Sequence, residues 1–224
     1  KEHYFWGYEH MSTVPGIFCA GDASGASSHK FSSGSHAEGR IAAKAAIRYI
    51  VDNNNEPNVD AGKVEELKKK ILAPLDRFAE FSPITSDADI HPEYIKPKMF
   101  MFRLQKIMDE YAGGVSSQFK TSKQLLERGM QLLDFLREDS EKLAAEDLHE
   151  LMRCWENVHR MWQAEAHVRT ILFREETRWP GYYFRTDTPE MKQDWEVFCN
   201  CRWNPSSGDW EMNKRPVLHI HDKL

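Results

Sequence analysis

Apolar residues at helical spacing dominate the chain after residue 60. In the first such run they lie three or four positions apart: Val64, Leu67, Ile71, Leu75 and Phe78. This spacing predicts a helix over residues 63–81. Pro74 lies within the run, and because proline has no backbone N–H we expect it to kink the helix or end it early.

Three more helices are predicted by the same pattern. One starts at Lys96–Pro97, since proline suits a first helical turn, and stops at Gly113–Gly114. Thr121 can cap the next, which has an apolar stripe of Leu125, Leu126, Met130, Leu133 and Leu136. A longer helix runs from Glu146 to about Arg174. We therefore expect a helical bundle over residues 61–178.

The two ends of the chain have a different pattern. Residues 14–51 are typical of a strand, a loop and a helix, and the helix carries a small-residue apolar face of Ile41, Ala42, Ala45, Ala46, Ile47 and Ile50. Asparagines and a proline at residues 52–57 should stop this helix. Residues 179–224 are rich in tryptophan and turn-forming residues. We expect an irregular tail of extended segments or a hairpin that packs on the helices or on a partner.

Charge and composition exclude two classes of partner. The 224 residues include 30 Lys and Arg against 35 Asp and Glu, a formal net charge of -5, so the chain lacks the basic field that nucleic acid binding requires. No apolar run is long enough to cross a bilayer, so we expect a soluble protein that does not span a membrane. The four cysteines are scattered and indicate a reducing, cytoplasmic setting.

Metal binding is not expected. Cys199 and Cys201 form a C-x-C pair that is too sparse for a zinc or iron–sulfur cage. In an extended strand we expect their thiols to point to opposite faces. The histidines outside the glycine- and serine-rich region show no convincing metal-binding spacing either.

The residues best suited to ligand chemistry lie between Gly16 and Arg40. Here a short apolar run ends at the acidic turn Gly21-Asp22, and a loop of glycine, alanine and serine leads to a helix start near Gly39. Glycine lets a backbone approach a ligand closely, and N–H groups at a helix start suit anionic or carbonyl oxygens. This layout predicts a nucleotide-cofactor site. The alternative is a flexible linker, which the large side chains of Phe31 and the neighbouring histidines disfavour.

The run His-Lys-Phe-Ser-Ser-Gly-Ser-His-Ala-Glu-Gly-Arg at residues 29–40 resembles the last flavin-contacting segment of the succinate dehydrogenase and fumarate reductase flavoprotein superfamily. Within that superfamily it is most similar to the alpha subunits of adenylylsulfate reductases, with Ser28 in place of a glycine. Residues 103–108 and 174–179 also resemble the helical domain of this family. The resemblance covers nearly the whole chain.

The resemblance implies a noncovalent FAD site. Asp22, after Gly21, stands at the position that contacts the ribityl hydroxyls, although it could also only cap its own turn. Ser32, Ser33, Gly34 and Ser35 match the segment that faces the pyrimidine edge of the flavin. That edge gains negative charge on reduction, so a helix N-terminus beneath it would favour the reduced flavin.

Two residues are candidates for substrate contact. His29 and Lys30 fall where dicarboxylate-reducing members of the superfamily place an arginine that holds a carboxylate. Lysine offers a point charge and not a planar fork, which argues against fumarate or succinate and suits sulfate, sulfite or phosphate oxygens. A solvated loop lysine remains the alternative. We assign no catalytic residue firmly within this chain.

Arg174, Glu175, Arg178 and Tyr182-Tyr183 resemble an R-x-E-S-R element of the helical domain, with Thr177 in place of serine. We expect them to form a buried cluster of ion pairs and hydrogen bonds that supports the flavin face. Direct substrate contact is the less favoured alternative.

The G-x-G-x-x-G turn that holds the FAD pyrophosphate in such proteins does not occur in this sequence. We therefore expect the C-terminal part of a longer polypeptide, without the pyrophosphate-binding half of the site. The fold class is then mainly α. Residues 1–60 would form the C-terminal edge of an α/β FAD-binding domain, followed by the helical domain at 61–178 and the tail at 179–224.

The implied activity is the two-electron interconversion of adenylyl sulfate with AMP and sulfite. The implied partner is an iron–sulfur beta subunit carrying [4Fe–4S] clusters, for which the tryptophan-rich tail is a candidate docking surface. Two alternatives remain open at this stage. One is a flavoprotein of the fumarate reductase or aspartate oxidase type, and the other is a helical interaction module without enzymatic activity.

Overall fold

Helices dominate the protein, as the apolar spacing predicts. The computed structural model describes residues 7–24, 31–54, 56, 58–84, 91–179 and 183–217. The chain divides into two compact units, Lys1–Gly62 and Lys63–Leu224. Within the described ranges, no helix is both long enough and apolar enough to cross a membrane.

The first unit is built on one long helix, α1 (Ser32–Asp52). It begins at Ser32, seven residues before the apolar helical run that follows Gly39, so the loop before it is shorter than that run alone suggests. Glycine and serine weaken a helix only modestly, and the longer apolar run that follows carries the helix over them. The serine-rich segment is therefore the first turn of α1 and not a separate loop.

The strand predicted before Asp22 is also wrong. A strand needs a partner for its backbone groups, and among the described residues this segment makes one antiparallel bridge, between Met11 and Phe18. It forms instead a loop that packs on the second half of α1. The ring of Tyr49 makes edge contacts with Tyr8 and Phe18, at centroid distances of 5.2 and 6.1 Å.

The apolar face of α1 is divided between burial and exposure. Ala42 and Ala45 are buried, whereas Ile41, Ile47 and Ile50 are exposed. Small side chains let the loop of residues 7–24 approach the helix closely, and the larger aliphatic side chains lie outside that contact.

Four helices follow: α2 (Ala61–Phe81), α3 (Pro97–Tyr111), α4 (Lys123–Ser140) and α5 (Leu148–Phe173). The bounds predicted from the apolar spacing agree with these helices to within three residues. The positive φ of Gly113, +82°, follows the end of α3 as expected for a glycine stop. Three helices share one core, which includes Phe100, Leu104, Leu126, Leu133, Leu136, Met161, Val168 and Ile171.

Pro74 does not end α2, so that part of the prediction is wrong. The helix continues to Phe81 with Pro74 buried inside it. In the turn before the proline, the indole N–H of Trp155 donates to the Ile71 carbonyl at 3.0 Å. This bond ties α2 to α5 beside the carbonyl of Lys70, which loses its helical donor because Pro74 has no N–H.

The predicted cap at Thr121 is displaced by one residue. Ser122 caps α4, and its hydroxyl accepts from the Leu125 N–H at 3.3 Å. Thr121 is fully buried instead, and its hydroxyl donates to the Tyr111 carbonyl at 2.6 Å. It belongs to β1 (Lys120–Thr121), which pairs in parallel with β2 (Phe184–Arg185).

The tail contains the hairpin that was one of the two forms predicted for it. Strands β3 (Val197–Asn204) and β4 (Asp209–Pro216) form an antiparallel hairpin with Trp203 opposite Trp210. Because residues two apart in a strand share a face, Cys199 and Cys201 lie on the same side, and the expectation of opposite faces is wrong.

Glu165 of α5 links the hairpin to the helices. Its side chain is only 5% exposed and accepts from Arg137 of α4 at 2.5 Å and from Arg169 at 2.9 Å. The Trp210 indole N–H also donates to it, at 2.9 Å. One buried carboxylate thus joins two helices and the hairpin, and its charge is matched by two guanidinium groups.

Candidate functional site

A tight turn at Gly21–Ala23 lies against the start of α1. Gly21 is buried and has a φ of +66°, and its carbonyl accepts from the Ser24 N–H at 2.9 Å. A Cβ added at Gly21 would stand 3.1 Å from the Ser35 hydroxyl oxygen. The backbone conformation and the close approach of Ser35 both favour glycine at this position.

Glu38 holds this turn to the helix. Its side-chain Oε2 accepts from the Gly21 N–H at 2.7 Å, and the residue is only 5% exposed. Ser35 and Glu38 are three residues apart and so lie on the same face of α1. Two side chains of one helix face thus contact the glycine turn.

The sequence did not reveal the role of Glu38. It lies within the segment that carries the family resemblance, but a glutamate in an early helical turn is usually solvated. The available signal was weak: it is the only acidic residue between Asp22 and the end of α1 at Asp52.

The predicted cofactor residues are brought together in this small region. Gly21 and Asp22 form the turn, and Ser32, Ser33, Gly34 and Ser35 form the first turn of α1. The helix proper begins with the Ser35 N–H, which donates to the Phe31 carbonyl at 2.9 Å. N–H groups in the first turn of a helix make the helix N-terminus positive and suited to electron-rich ligand atoms.

Exposure divides these residues by what they can do. Asp22, Ser32 and Ser33 are exposed, so their polar groups can reach a ligand, whereas Gly34 and Ser35 are half-buried. The candidates His29 and Lys30 lie outside the described residues. The arrangement offers one carboxylate acceptor, serine hydroxyls and a helix N-terminus, with little side-chain bulk between them.

A second polar cluster is centred on Glu176, which is completely buried. Its Oε1 accepts from Arg174 at 2.5 Å and from Arg178 at 2.6 Å. Its Oε2 accepts from Arg178 at 3.1 Å and from the Lys192 N–H at 2.9 Å. The carboxylate at the centre is therefore not Glu175, which is exposed. The prediction that Glu175 is the acidic member of this cluster is therefore wrong by one residue.

The electrostatics of Glu176 follow from these contacts. Burial alone would raise its pKa, but hydrogen bonds from Arg178, the Lys192 backbone and Arg174 outweigh it and hold the pKa below its ordinary value. Arg174 also donates to the carbonyls of Trp195 and Val197, at 2.8 and 2.6 Å. The cluster therefore fixes the chain before β3 to the end of α5.

Arg185 anchors the neighbouring segment. Its side chain is buried and donates to the Ile171 carbonyl at 2.6 Å and, through Nη2, to Asp187 at 2.6 Å. The hydrogen bonds from Arg185 lower the pKa of Asp187 to about 2. Tyr183 is half-buried, and burial raises the pKa of its hydroxyl. Tyr182 lies outside the described residues.

No metal centre is found among the described residues, in which no three His, Cys, Asp or Glu side chains gather around one point. All four cysteines are free thiols. Cys154 is buried, its thiol donates to the Ala144 carbonyl at 3.7 Å, and burial raises its pKa to about 12. It is a core side chain and not a reactive thiol.

Nearly the whole chain is similar to part of the alpha subunit of adenylylsulfate reductases. No family profile matches the chain. The alpha subunit of adenylylsulfate reductase from Megalodesulfovibrio gigas is 44% identical over 214 residues, which are 95% of this chain and 32% of that subunit. The chain thus spans about a third of the length of this relative.

Solved structures of adenylylsulfate reductases are also similar to this chain. Adenylylsulfate reductase from Archaeoglobus fulgidus matches with a TM-score of 0.90 and 53% identity, over 95% of this chain and 33% of the solved chain. A structure of adenosine-5-phosphosulfate reductase in complex with sulfite as a covalent adduct matches with the same values. E. coli quinol fumarate reductase FrdA, at 16% identity and a TM-score of 0.65 over 91% of this chain and 34% of its own, shares the fold.

Proposed function

This chain is homologous to about a third of the alpha subunit of adenylylsulfate reductase, and we propose that it forms one wall of the FAD site of such an enzyme. The reaction is the two-electron interconversion of adenylyl sulfate with AMP and sulfite. Because the relatives are about three times as long, the activity is proposed for the assembled enzyme and not for these 224 residues alone.

The observation that carries the proposal is the placement of the Asp22 turn against the first turn of α1. The exposed carboxylate, the serines and the helix N-terminus suit different parts of FAD. Gly21 leaves no side chain in the way, and any larger residue there would meet Ser35. These residues therefore fit one face of the cofactor, although none of them could hold its pyrophosphate in the usual glycine-rich turn.

Each residue has a proposed role toward noncovalent FAD. Asp22 accepts hydrogen bonds from the ribityl hydroxyls, and Ser32, Ser33, Gly34 and Ser35 present the start of α1 to the pyrimidine edge. Bound FAD would supply the two-electron chemistry. The helix N-terminus favours the negative charge that this edge gains on reduction, which makes electron uptake easier.

Substrate contact is proposed for His29 and Lys30 from the sequence alone. A lysine is a compact cation that suits sulfite or sulfate oxygens, whereas an arginine fork suits a carboxylate. For the Glu176 cluster we propose a structural role within the helical domain, since its guanidinium groups are already occupied by Glu176 and by backbone carbonyls.

An iron–sulfur beta subunit with [4Fe–4S] clusters is the proposed electron partner, in the cytoplasm. Of the two paired tryptophans in the tail, Trp210 is held by Glu165, whereas Trp203 is 48% exposed and available for contact. In the full-length enzyme, Trp203→Ala should weaken co-purification of the two subunits. Unchanged assembly would remove the hairpin from the proposed interface.

The test uses the full-length subunit together with its iron–sulfur partner. We expect sulfite to bleach the absorbance of the bound flavin, and AMP to allow electrons from sulfite to reach an external acceptor. Asp22→Ala should weaken FAD binding. Flavin that ignores sulfite and AMP but turns over fumarate would instead assign the protein to the dicarboxylate branch. A full-length subunit that binds no flavin would favour an interaction module.

A further inference from the structure

Glu38 is the strongest feature of the first unit that the proposed function does not use. Its carboxylate is buried, and its Oε2 accepts from the backbone of the turn that bears Asp22. Burying a carboxylate is costly unless it makes strong hydrogen bonds. The 2.7 Å contact with the Gly21 N–H is such a bond.

The geometry gives this bond a specific consequence. Gly21 directly precedes Asp22, so the bond to the Gly21 N–H fixes the Ala20–Gly21 peptide group, where the chain enters the turn that bears Asp22. The Ser24 N–H to Gly21 carbonyl bond closes the same turn from its other end. Asp22 itself stays exposed. Its direction is therefore set by the backbone on either side of it and not by contacts of its own carboxylate in the core.

We propose that Glu38 is a positioning residue for FAD: by accepting from the Gly21 N–H, it holds the Asp22 carboxylate in the direction required to bind the ribityl hydroxyls. This inference rests on the proposed function, because it presupposes FAD beside the turn. Glu38 acts on the cofactor through Asp22 and does not touch it.

The test is a double-mutant cycle in the full-length subunit, with FAD affinity measured by titrating the apo-protein with FAD and recording flavin fluorescence. Glu38→Ala should raise the dissociation constant roughly tenfold, as expected for loss of a hydrogen bond to a charged acceptor. In an Asp22→Ala background the same change should have little further effect, because the group it positions is gone. The visible circular dichroism of the bound flavin should change with Glu38→Ala.

Glu38→Gln provides the rescue, since its amide oxygen can still accept from the Gly21 N–H. We expect near wild-type FAD affinity for this variant, even if Glu38→Ala fails to fold. Glu38→Asp, which is one methylene shorter, should lose the bond and resemble the alanine variant. Glu165→Gln is the matched control, because it alters a buried carboxylate of the other unit and should lower thermal stability without changing FAD affinity.

The outcomes separate this inference from the proposed function. The positioning role would be overturned if Glu38→Ala raised the dissociation constant for FAD by the same factor with and without Asp22. It would also be overturned if Glu38→Gln bound FAD as weakly as Glu38→Asp. Either result would leave the FAD site in place, because the wild-type subunit would still bind the cofactor. Failure of the wild-type subunit to bind FAD would overturn both.

Discussion

At the scale of single residues, Gly21 and Glu38 hold the turn that bears Asp22 against the start of α1. Gly21 contributes a backbone conformation, and Glu38 contributes one hydrogen bond to it. The same principle holds around Glu176, where a buried carboxylate orders two arginines and the backbone at Lys192. Buried acceptors, more than exposed charges, determine where the chain can turn.

Gly21→Ala should destabilise the folded protein by about 1–2 kcal/mol, because a residue with a Cβ resists the left-handed conformation. The contact with the Ser35 hydroxyl at 3.1 Å adds to this cost. Thermal unfolding measures the effect. Gly39→Ala is the control, since among the described residues its added methyl group meets nothing within 4 Å beyond its chain neighbours and the adjacent backbone of its own helix. Equal stability of the Gly21 and Gly39 variants would contradict the strained turn.

Asp187 should make stability depend on pH in the acidic range. Hydrogen bonds from Arg185 lower its pKa in the folded state from 3.8 to about 2. A lowered pKa means that the folded state favours the carboxylate, so the contribution is complete above pH 4 and is lost as the pH falls toward 2. Denaturant titrations of Asp187→Asn should show a weaker fall in stability over this interval than the wild type. Parallel curves would exclude the ion pair as a source of acid sensitivity.

At the scale of elements, α3, α4 and α5 share one continuous core, and polar contacts that include Glu165 attach the hairpin to α4 and α5. Each helix of the core has an apolar face that the sequence makes visible, whereas the attachment through Glu165 depends on residues far apart in sequence. Loss of an apolar side chain and loss of a polar contact should therefore have different effects.

On α3, Phe100→Ala should cost about 3–5 kcal/mol, since Phe100 is 0% exposed and its removal leaves a cavity. Phe102→Ala on the same helix is the matched control, because Phe102 is 47% exposed, and should cost less than about 1 kcal/mol. Denaturant unfolding of the two variants compares the same chemical change at two positions. Similar losses would mean that α3 packs in a different rotation about its axis.

Trp210→Phe should destabilise the protein by about 1–2 kcal/mol, because the indole N–H that donates to the buried Glu165 is lost. Trp203→Phe should cost less, since Trp203 is half exposed and keeps most of its ring contact with Trp210. The free energies of unfolding of the two variants can be compared directly. The reverse order would indicate that the hairpin is held by the outer ring of the pair.

At the scale of the whole molecule, features that depend on neighbouring residues could be predicted from the sequence, whereas contacts between residues far apart in the sequence could not. Helical periodicity is local, so α3, α4 and α5 were predicted nearly to the residue. The contact between α2 and α5 at the Ile71 carbonyl involves Trp155, 84 positions away in the sequence. The bond between Gly21 and Glu38 likewise joins residues 17 apart. Neither pairing leaves a pattern in the sequence.

The thiols report on the integrity of the whole fold. Cys154 is buried with a raised pKa, whereas Cys19, Cys199 and Cys201 are partly exposed. At neutral pH a thiol reagent should therefore leave Cys154 unmodified in the native protein and reach all four cysteines in denaturant. Cys154→Ala should give an unchanged native thiol count, and rapid labelling of Cys154 in the native state would contradict its burial.

Exposed apolar side chains on α1 should affect the solubility of the first unit, Lys1–Gly62, when it is expressed alone. Ile47, Ile50 and Val51 are between 62% and 72% exposed, and their spacing of three and four positions puts them on one face of this helix. Several large aliphatic side chains so close together form an apolar patch that promotes association. Expressed by itself at high concentration, the segment should tend to self-associate and precipitate, and replacing Ile47 and Ile50 with lysine should improve its yield in soluble form.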